Sequence, residues 1–175
     1  MKIITSFGSG QISPDDPYYS EVYEIGYVLA VAGYTVCSGG YYGTMQAISQ
    51  GAKNGGGKTI GITVSEWEQK ANPYIDEEIR SANLMERLQL LINKANAFLV
   101  FKGGTGTLTE IALTLELMNK DKIAPKPLYF YGDTWKHLTE LLKKDSEKLS
   151  RIIEDYTFFF NTPAELTGLL SEIKY

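Results

Sequence analysis

The residues best suited to chemistry lie in one stretch, Lys102-Gly103-Gly104-Thr105-Gly106-Thr107-Leu108-Thr109-Glu110. An apolar run, Ala97 to Phe101, precedes it and a helical pattern follows it, so the order is strand, glycine-rich turn, helix. Glycine lets the backbone turn sharply and come close to a ligand. The helix behind the turn presents its free N–H groups and the positive end of its dipole. Such a turn suits an anion, phosphate above all. Glu110 then supplies a carboxylate one helical turn from the bound anion. The bland alternative is a capping box, because Thr107 and Glu110 have its spacing. Arg87 falls on the border of an apolar helical stripe. An arginine in that position snorkels or pairs with a carboxylate, and Glu110 is the obvious partner.

Two further glycine turns follow apolar runs. Gly8-Ser9-Gly10 closes Lys2–Phe7, and Gly39-Gly40-Tyr41-Tyr42-Gly43-Thr44 follows Tyr34–Ser38. The candidate phosphate or nucleotide contacts are therefore Gly8, Ser9, Gly39, Gly40, Gly43, Thr44, Gly103, Gly104, Thr105, Gly106 and Thr107. None of the turns is a full dinucleotide fingerprint. Gly8-Ser9-Gly10-Gln11-Ile12-Ser13 lacks the third glycine, and no acidic residue ends the next strand to hold a ribose. A nicotinamide oxidoreductase is disfavoured. Gly57-Lys58-Thr59 imitates the tail of a P-loop, but Ala52 stands where that motif needs glycine, and the run enters a strand.

The chain must position these turns. Its 175 residues, 43% of them hydrophobic and 22% charged, suit one globular domain over residues 1–175. A net charge of −4 argues against a nucleic-acid partner, which wants clustered Lys and Arg. Cys37 is the sole cysteine, so no disulfide and no cysteine-based metal site is expected, and a cytoplasmic address follows. The N-terminal run is too short for a signal peptide, and no apolar run nears the ~20 residues that span a bilayer.

Val22, Ile25, Leu29 and Ala32 mark a helix over 18–32 closed by Gly33. Met45, Ile48 and Ala52 mark the next helix, and Lys58 to Thr63 a strand. Val64 to Ser81, with Trp67, Tyr74 and Asp76-Glu77-Glu78, shows no period and reads as a surface loop or a lid. Leu84, Leu88, Leu91 and Ile92 stripe a helix over 83–94. Further elements are expected at 107–119 (helix), 126–131 (strand), 135–144 (helix), 156–160 (strand) and 163–173 (helix). His137, the only histidine, sits among polar neighbours and suggests no chemistry. Alternating strands and helices predict an α/β fold: a three-layer Rossmann-like parallel sheet with helices on both faces. Ligands bind such sheets at the carboxyl ends of the strands, where all three glycine turns fall.

Gly103 to Glu110 resembles the PGGxGTxxE signature of the LOG (lonely guy) family, proteins once labelled lysine decarboxylases from sequence alone. Phe7-Gly8-Ser9-Gly10, Ser38 to Met45, and Gly55-Gly56-Gly57 with Ile60-Gly61-Ile62 extend the likeness over most of the chain. The resemblance implies a Rossmann-like phosphoribohydrolase that splits a nucleoside 5′-monophosphate into free base and ribose 5-phosphate. It implies no cofactor, and a homodimer with the site near the interface. Arg87 matches the family's catalytic arginine and Glu110 its signature glutamate. In this role the backbone of Gly104 to Thr107 holds the phosphate. Glu110 steadies positive charge growing on the ribose or orients water. Trp67 or Tyr74 is available to stack on the base. Three features depart from the pattern. Lys102 replaces the signature proline, Leu88 stands where active enzymes carry lysine, and no glutamate of the 67–80 loop matches the third acidic position. They resemble instead a branch related to DNA-processing proteins and to molybdenum-cofactor carriers, which bind without hydrolysis. A nucleotide or pterin-phosphate carrier is therefore the alternative.

Overall fold

The computed structural model describes residues 2–172. Seven strands form one all-parallel sheet in the order β4-β3-β2-β1-β5-β6-β7. In chain order the elements are β1 (Lys2–Phe7), α1 (Pro17–Val31), β2 (Tyr34–Ser38), α2 (Thr44–Asn54), β3 (Thr59–Val64), β4 (Glu77–Ser81) and α3 (Leu84–Lys94). Then come β5 (Ala97–Val100), α4 (Thr105–Asn119), β6 (Leu128–Tyr131), α5 (Lys136–Leu142), α6 (Glu147–Tyr156), β7 (Thr157–Phe160) and α7 (Pro163–Glu172).

Both faces of the sheet are covered, which is why its central strands read as continuous apolar runs. In β5 the side chains alternate between the two layers. Ala97 and Leu99 join a core with α1, α2 and α7, through Val22, Ile25, Leu29, Ile48 and Leu166. Phe98 and Val100 join the opposite core with α3, α4 and α6, through Leu91, Ile111, Leu115 and Ile153. The chain builds outward from β1 to β4 on one side, then returns to β5 on the other. The strand order reverses between β1 and β5, where Phe7 lies beside Val100. That reversal leaves a crevice at the carboxyl ends of the two strands.

Four expectations are corrected. Residues 64–81 are not all loop, because Glu77–Ser81 pairs with β3 as an edge strand. Its sequence, Glu77-Glu78-Ile79-Arg80, carries no apolar run, and these four residues are exposed or half-buried. Helix α6 escaped the sequence reading altogether. Helix α4 begins at Thr105, two residues early, with Gly104 as N-cap and no side-chain cap. Thr107 and Glu110 therefore do not form a capping box, since both lie inside the helix. Leu84 is 46% exposed, so Arg87 takes its place in the buried row of α3 with Leu88, Leu91 and Ile92. The closing helix was read to Ile173, which lies outside the described residues.

Candidate functional site

The turns after β1 and β5 are tied together at the crevice. Ser9 N–H donates to the Lys102 carbonyl (3.2 Å), and Phe101 N–H donates to the Phe7 carbonyl (2.9 Å). Between them opens a cleft of about 260 Å³. It is lined by the start of α4, Gly104 to Thr107, by Gly8 and Ser9, and by Arg87 and Glu110. Gly10, Gln11 and Met45 also line it; the sequence reading placed Gly10 in the first glycine turn but named none of the three as a ligand contact. The first amide of α4 to find a backbone acceptor is Leu108, which donates to the Gly104 carbonyl (3.0 Å). Among the described residues, no protein acceptor takes the N–H groups of Gly104, Thr105, Gly106 and Thr107. Four convergent donors at a helix start are a phosphate-sized anion cradle.

A Cβ built on Gly106 meets nothing within 4 Å, so the fold itself does not need glycine there. Gly106→Ala is expected to raise stability by about 0.5–1 kcal/mol, from helix propensity alone. The added methyl would narrow the cradle, so affinity for inorganic phosphate should fall in the same variant. Thermal melts and calorimetry read the two effects separately.

The second glycine turn lies behind the cleft. Gly39, Gly40, Gly43, Thr44 and also Gly103 are not among its lining residues. Thr44 donates its N–H (2.9 Å) and its hydroxyl (3.0 Å) to the Ser9 carbonyl, which fastens α2 to the first turn. Gly43 packs on the Ser9 and Gly10 backbone, and Gly103 beneath the Thr107 side chain. Gly40 packs on Gly61 and Thr63.

Gly39 makes room for Arg87. The Arg87 side chain, 7% exposed, reaches from α3 across the ends of two strands. Nε donates to the Ile62 carbonyl (2.7 Å) and Nη2 to the Gly39 carbonyl (3.0 Å). A Cβ on Gly39 would overlap Nη2. Gly39→Ala therefore displaces the guanidinium. The variant is expected to bind inorganic phosphate at least tenfold more weakly, roughly the loss of one charge-assisted bond, which calorimetry tests.

Arg87 and Glu110 do not close an ion pair. None of the side-chain ion pairs among the described residues includes either of them. Arg87 is held by carbonyl oxygens instead, a partner that side-chain spacing cannot reveal. Burial lowers the Arg87 pKa, opposed chiefly by the field of Glu110. Burial pushes the Glu110 carboxyl up to about 8, against the pull of Arg87. The cleft thus holds a carboxyl that titrates near neutrality beside a buried cation, a pairing suited to proton transfer or charge stabilisation.

The remaining candidates lie elsewhere. Lys102 is outside the cleft lining, with Nζ 3.7 Å from the centre of the Tyr18 ring. The Lys102 N–H also donates to the Tyr18 hydroxyl (3.1 Å), so this residue braces α1. Tyr74 offers its carbonyl to Thr59 Oγ1 (2.6 Å) at the amino end of β3, the far end of the sheet from the cleft. The Trp67 ring rests 5.4 Å from the Arg87 guanidinium carbon and 5.5 Å from the Tyr41 ring. Asn72, nearly fully buried, donates Nδ2 to the Gly40 (3.1 Å) and Tyr41 (2.7 Å) carbonyls, tying the 65–76 segment to the second turn. Cys37 is buried in β2 and His137 is exposed. Among the described residues no helix is long and apolar enough to cross a membrane.

Known proteins resemble this chain over part or all of its length. The cytokinin riboside 5′-monophosphate phosphoribohydrolase of Mycobacterium marinum is 34% identical over 90 residues, 50% of this chain and 48% of that protein. The pyrimidine/purine nucleotide 5′-monophosphate nucleosidase of Escherichia coli is 25% identical over 136 residues, 70% of this chain but 30% of that enzyme. The chain thus spans half or less of the length of these enzymes. Among solved structures, the molybdenum cofactor binding protein of Rippkaea orientalis superposes with a TM-score of 0.77 at 26% identity. That superposition covers 98% of this chain and 96% of the other. A family model described as the SLOG cluster4 family matches residues 1–155. The match spans most of the chain, which therefore belongs to the SLOG cluster4 family, a LOG-like family.

Proposed function

We propose that the cleft binds the 5′-phosphate of a nucleoside monophosphate and that the protein hydrolyses the N-glycosidic bond, releasing free base and ribose 5-phosphate. One observation carries this reading: four unengaged backbone N–H groups open onto a cleft that also holds Glu110, with its pKa near 8, and the buried Arg87. The phosphate sits on Gly104 to Thr107, helped by the Thr107 hydroxyl and flanked by Gly8 and Ser9. Gly39, Gly40, Gly43, Thr44 and Gly103 shape that seat from behind. As the bond to the base lengthens, positive charge grows on the ribose, and ionised Glu110 stabilises it or orients the attacking water. Arg87 directs its remaining donors to the phosphate or ribose. A cleft of about 260 Å³ is smaller than the roughly 300–1,000 Å³ that encloses a drug-sized ligand, so the phosphoribosyl part is enclosed and the base projects.

The test is incubation with a panel of nucleoside 5′-monophosphates, AMP first, with chromatography for free base and ribose 5-phosphate. Absence of free base from every member rejects hydrolysis. The same reading has the protein act in the cytoplasm as a homodimer. The exposed apolar side chains of Leu84 and Met85 on α3 and Leu108 on α4 support self-association, which sedimentation would measure.

A second reading, a non-catalytic carrier of a nucleotide or pterin phosphate, is favoured by the end-to-end superposition on the Rippkaea orientalis protein. It requires tight binding without turnover, and an affinity that Glu110→Gln leaves intact.

A further inference from the structure

Trp67 is 39% exposed, on a surface segment outside the cleft lining. Its ring is nevertheless fixed. The Trp67 backbone N–H donates to the Val64 carbonyl (3.2 Å), which anchors the main chain, and the ring leans on Tyr41 at 5.5 Å with 32° between planes. Tyr41 is itself pinned, its hydroxyl accepting the Val64 N–H (2.8 Å) and its carbonyl accepting from Asn72 Nδ2 (2.7 Å). The Arg87 guanidinium carbon lies 5.4 Å from the centre of each ring.

The guanidinium plane has three donor-bearing nitrogens. Two are engaged within the protein: Nε with the Ile62 carbonyl, and Nη2 with the Gly39 carbonyl and, more weakly, with Met45 Sδ at 3.8 Å. Among the described residues no protein acceptor engages Nη1, although Arg87 lines the cleft. Two in-plane bonds on one side leave the plane free to tilt about that side. The aromatic faces remove this freedom, since a cation is held against them by the ring quadrupole. We propose that Trp67 is a positioning residue. Together with Tyr41 it fixes the plane of Arg87 so that Nη1 meets the phosphoryl or ribosyl oxygens of a ligand in the cleft. Trp67 touches no ligand atom and acts through the arginine. The inference rests on the reading that Arg87 contacts the ligand.

The test compares wild type, Trp67→Phe and Trp67→Ala. Calorimetry measures affinity for inorganic phosphate, steady-state assays give KM and kcat on AMP, and melts check folding. The alanine variant is expected to bind phosphate about tenfold more weakly and to raise KM by a similar factor, with kcat nearly unchanged. The phenylalanine variant, which keeps an aromatic face, should recover to within about threefold of wild type. Phosphate should also shift the wild-type tryptophan emission, and that shift should vanish in Trp67→Phe. The proposal is overturned if Trp67→Ala binds phosphate like wild type, or if Trp67→Phe is as impaired as Trp67→Ala. Wild type that binds phosphate without releasing base rejects hydrolysis and leaves the phosphate arm to decide the role of Trp67. Wild type that binds no phosphate rejects both.

Discussion

Replacing Glu110 by glutamine is expected to lower kcat on a nucleoside monophosphate by about 10²–10⁴-fold, the range that a positioned acid–base group contributes. Phosphate affinity should change little, because the cradle consists of main-chain N–H groups. The pH dependence identifies the working form. Burial holds the carboxyl near 8, so the free protein carries it protonated at neutral pH. If the carboxylate stabilises charge on the ribose, kcat/KM rises with pH and levels off above about 8. A falling limb near 8 would instead make Glu110 the acid that protonates the departing base. The same titration affects stability with a definite sign. The folded state binds the proton that the unfolded chain releases near 4.5, so stability falls as pH rises from about 4.5 to about 8. The slope from this group is at most about 1.4 kcal/mol per pH unit. Glu110→Gln should flatten that slope and melt higher than wild type at pH 8. An unchanged melting curve would show the carboxyl to be better solvated than its place in the cleft wall implies.

Removing Arg87 is expected to damage folding and binding together, and the choice of substitute separates the two. Arg87→Ala leaves a void and strips the donor from the Ile62 and Gly39 carbonyls. A loss of about 3 kcal/mol is expected, combining the cavity with two orphaned acceptors. At about 2–4 °C per kcal/mol for a chain of this size, Tm falls by roughly 6–12 °C. Arg87→Met fills most of the volume and removes a charge buried without a carboxylate partner, so it should lose no more than about 1.5 kcal/mol. Both variants lose the charge-assisted bond to the ligand, which is worth about 1.5–3 kcal/mol, or roughly 10- to 150-fold in phosphate affinity. Wild-type affinity in a stable Arg87→Met protein would confine the arginine to a structural role.

Much of this was legible because the signals are local. A glycine turn after an apolar run announces itself, but of the three only those after β1 and β5 line the cleft, while the turn after β2 lies outside its lining. The doubly covered sheet followed from unbroken runs such as Ala97–Phe101, and Cys37 fell where such a run put it. Helix α6 was equally local, with Ser146 as cap and Leu149, Ile152 and Ile153 at helical spacing, and was simply passed over. What the sequence hid was hidden for a physical reason. The acceptors of Arg87 are carbonyls 25 and 48 residues away, and every residue carries a carbonyl, so no side-chain pattern marks them. The separate tasks of neighbouring glycines were hidden likewise. Gly106 faces open space while Gly39 shelters a guanidinium, and only the packed neighbours tell them apart. Edge strand β4 was missed because its first four residues, exposed or half-buried, carry no apolar run of the kind that makes covered strands visible.

The Glu110 carboxylate takes part in no hydrogen bond or ion pair among the described residues, whereas Arg87, Thr44 and Asn72 each hold distant segments together. On the proposed function, the carboxylate that turnover needs thus stands apart from the contacts that join distant segments. On that reading, a lineage can acquire or discard hydrolysis through a single codon while inheriting the rest of the molecule unaltered. Descendants of one ancestor could in this way divide between transporting a phosphorylated cargo and destroying it, with nothing in their backbones to tell which is which.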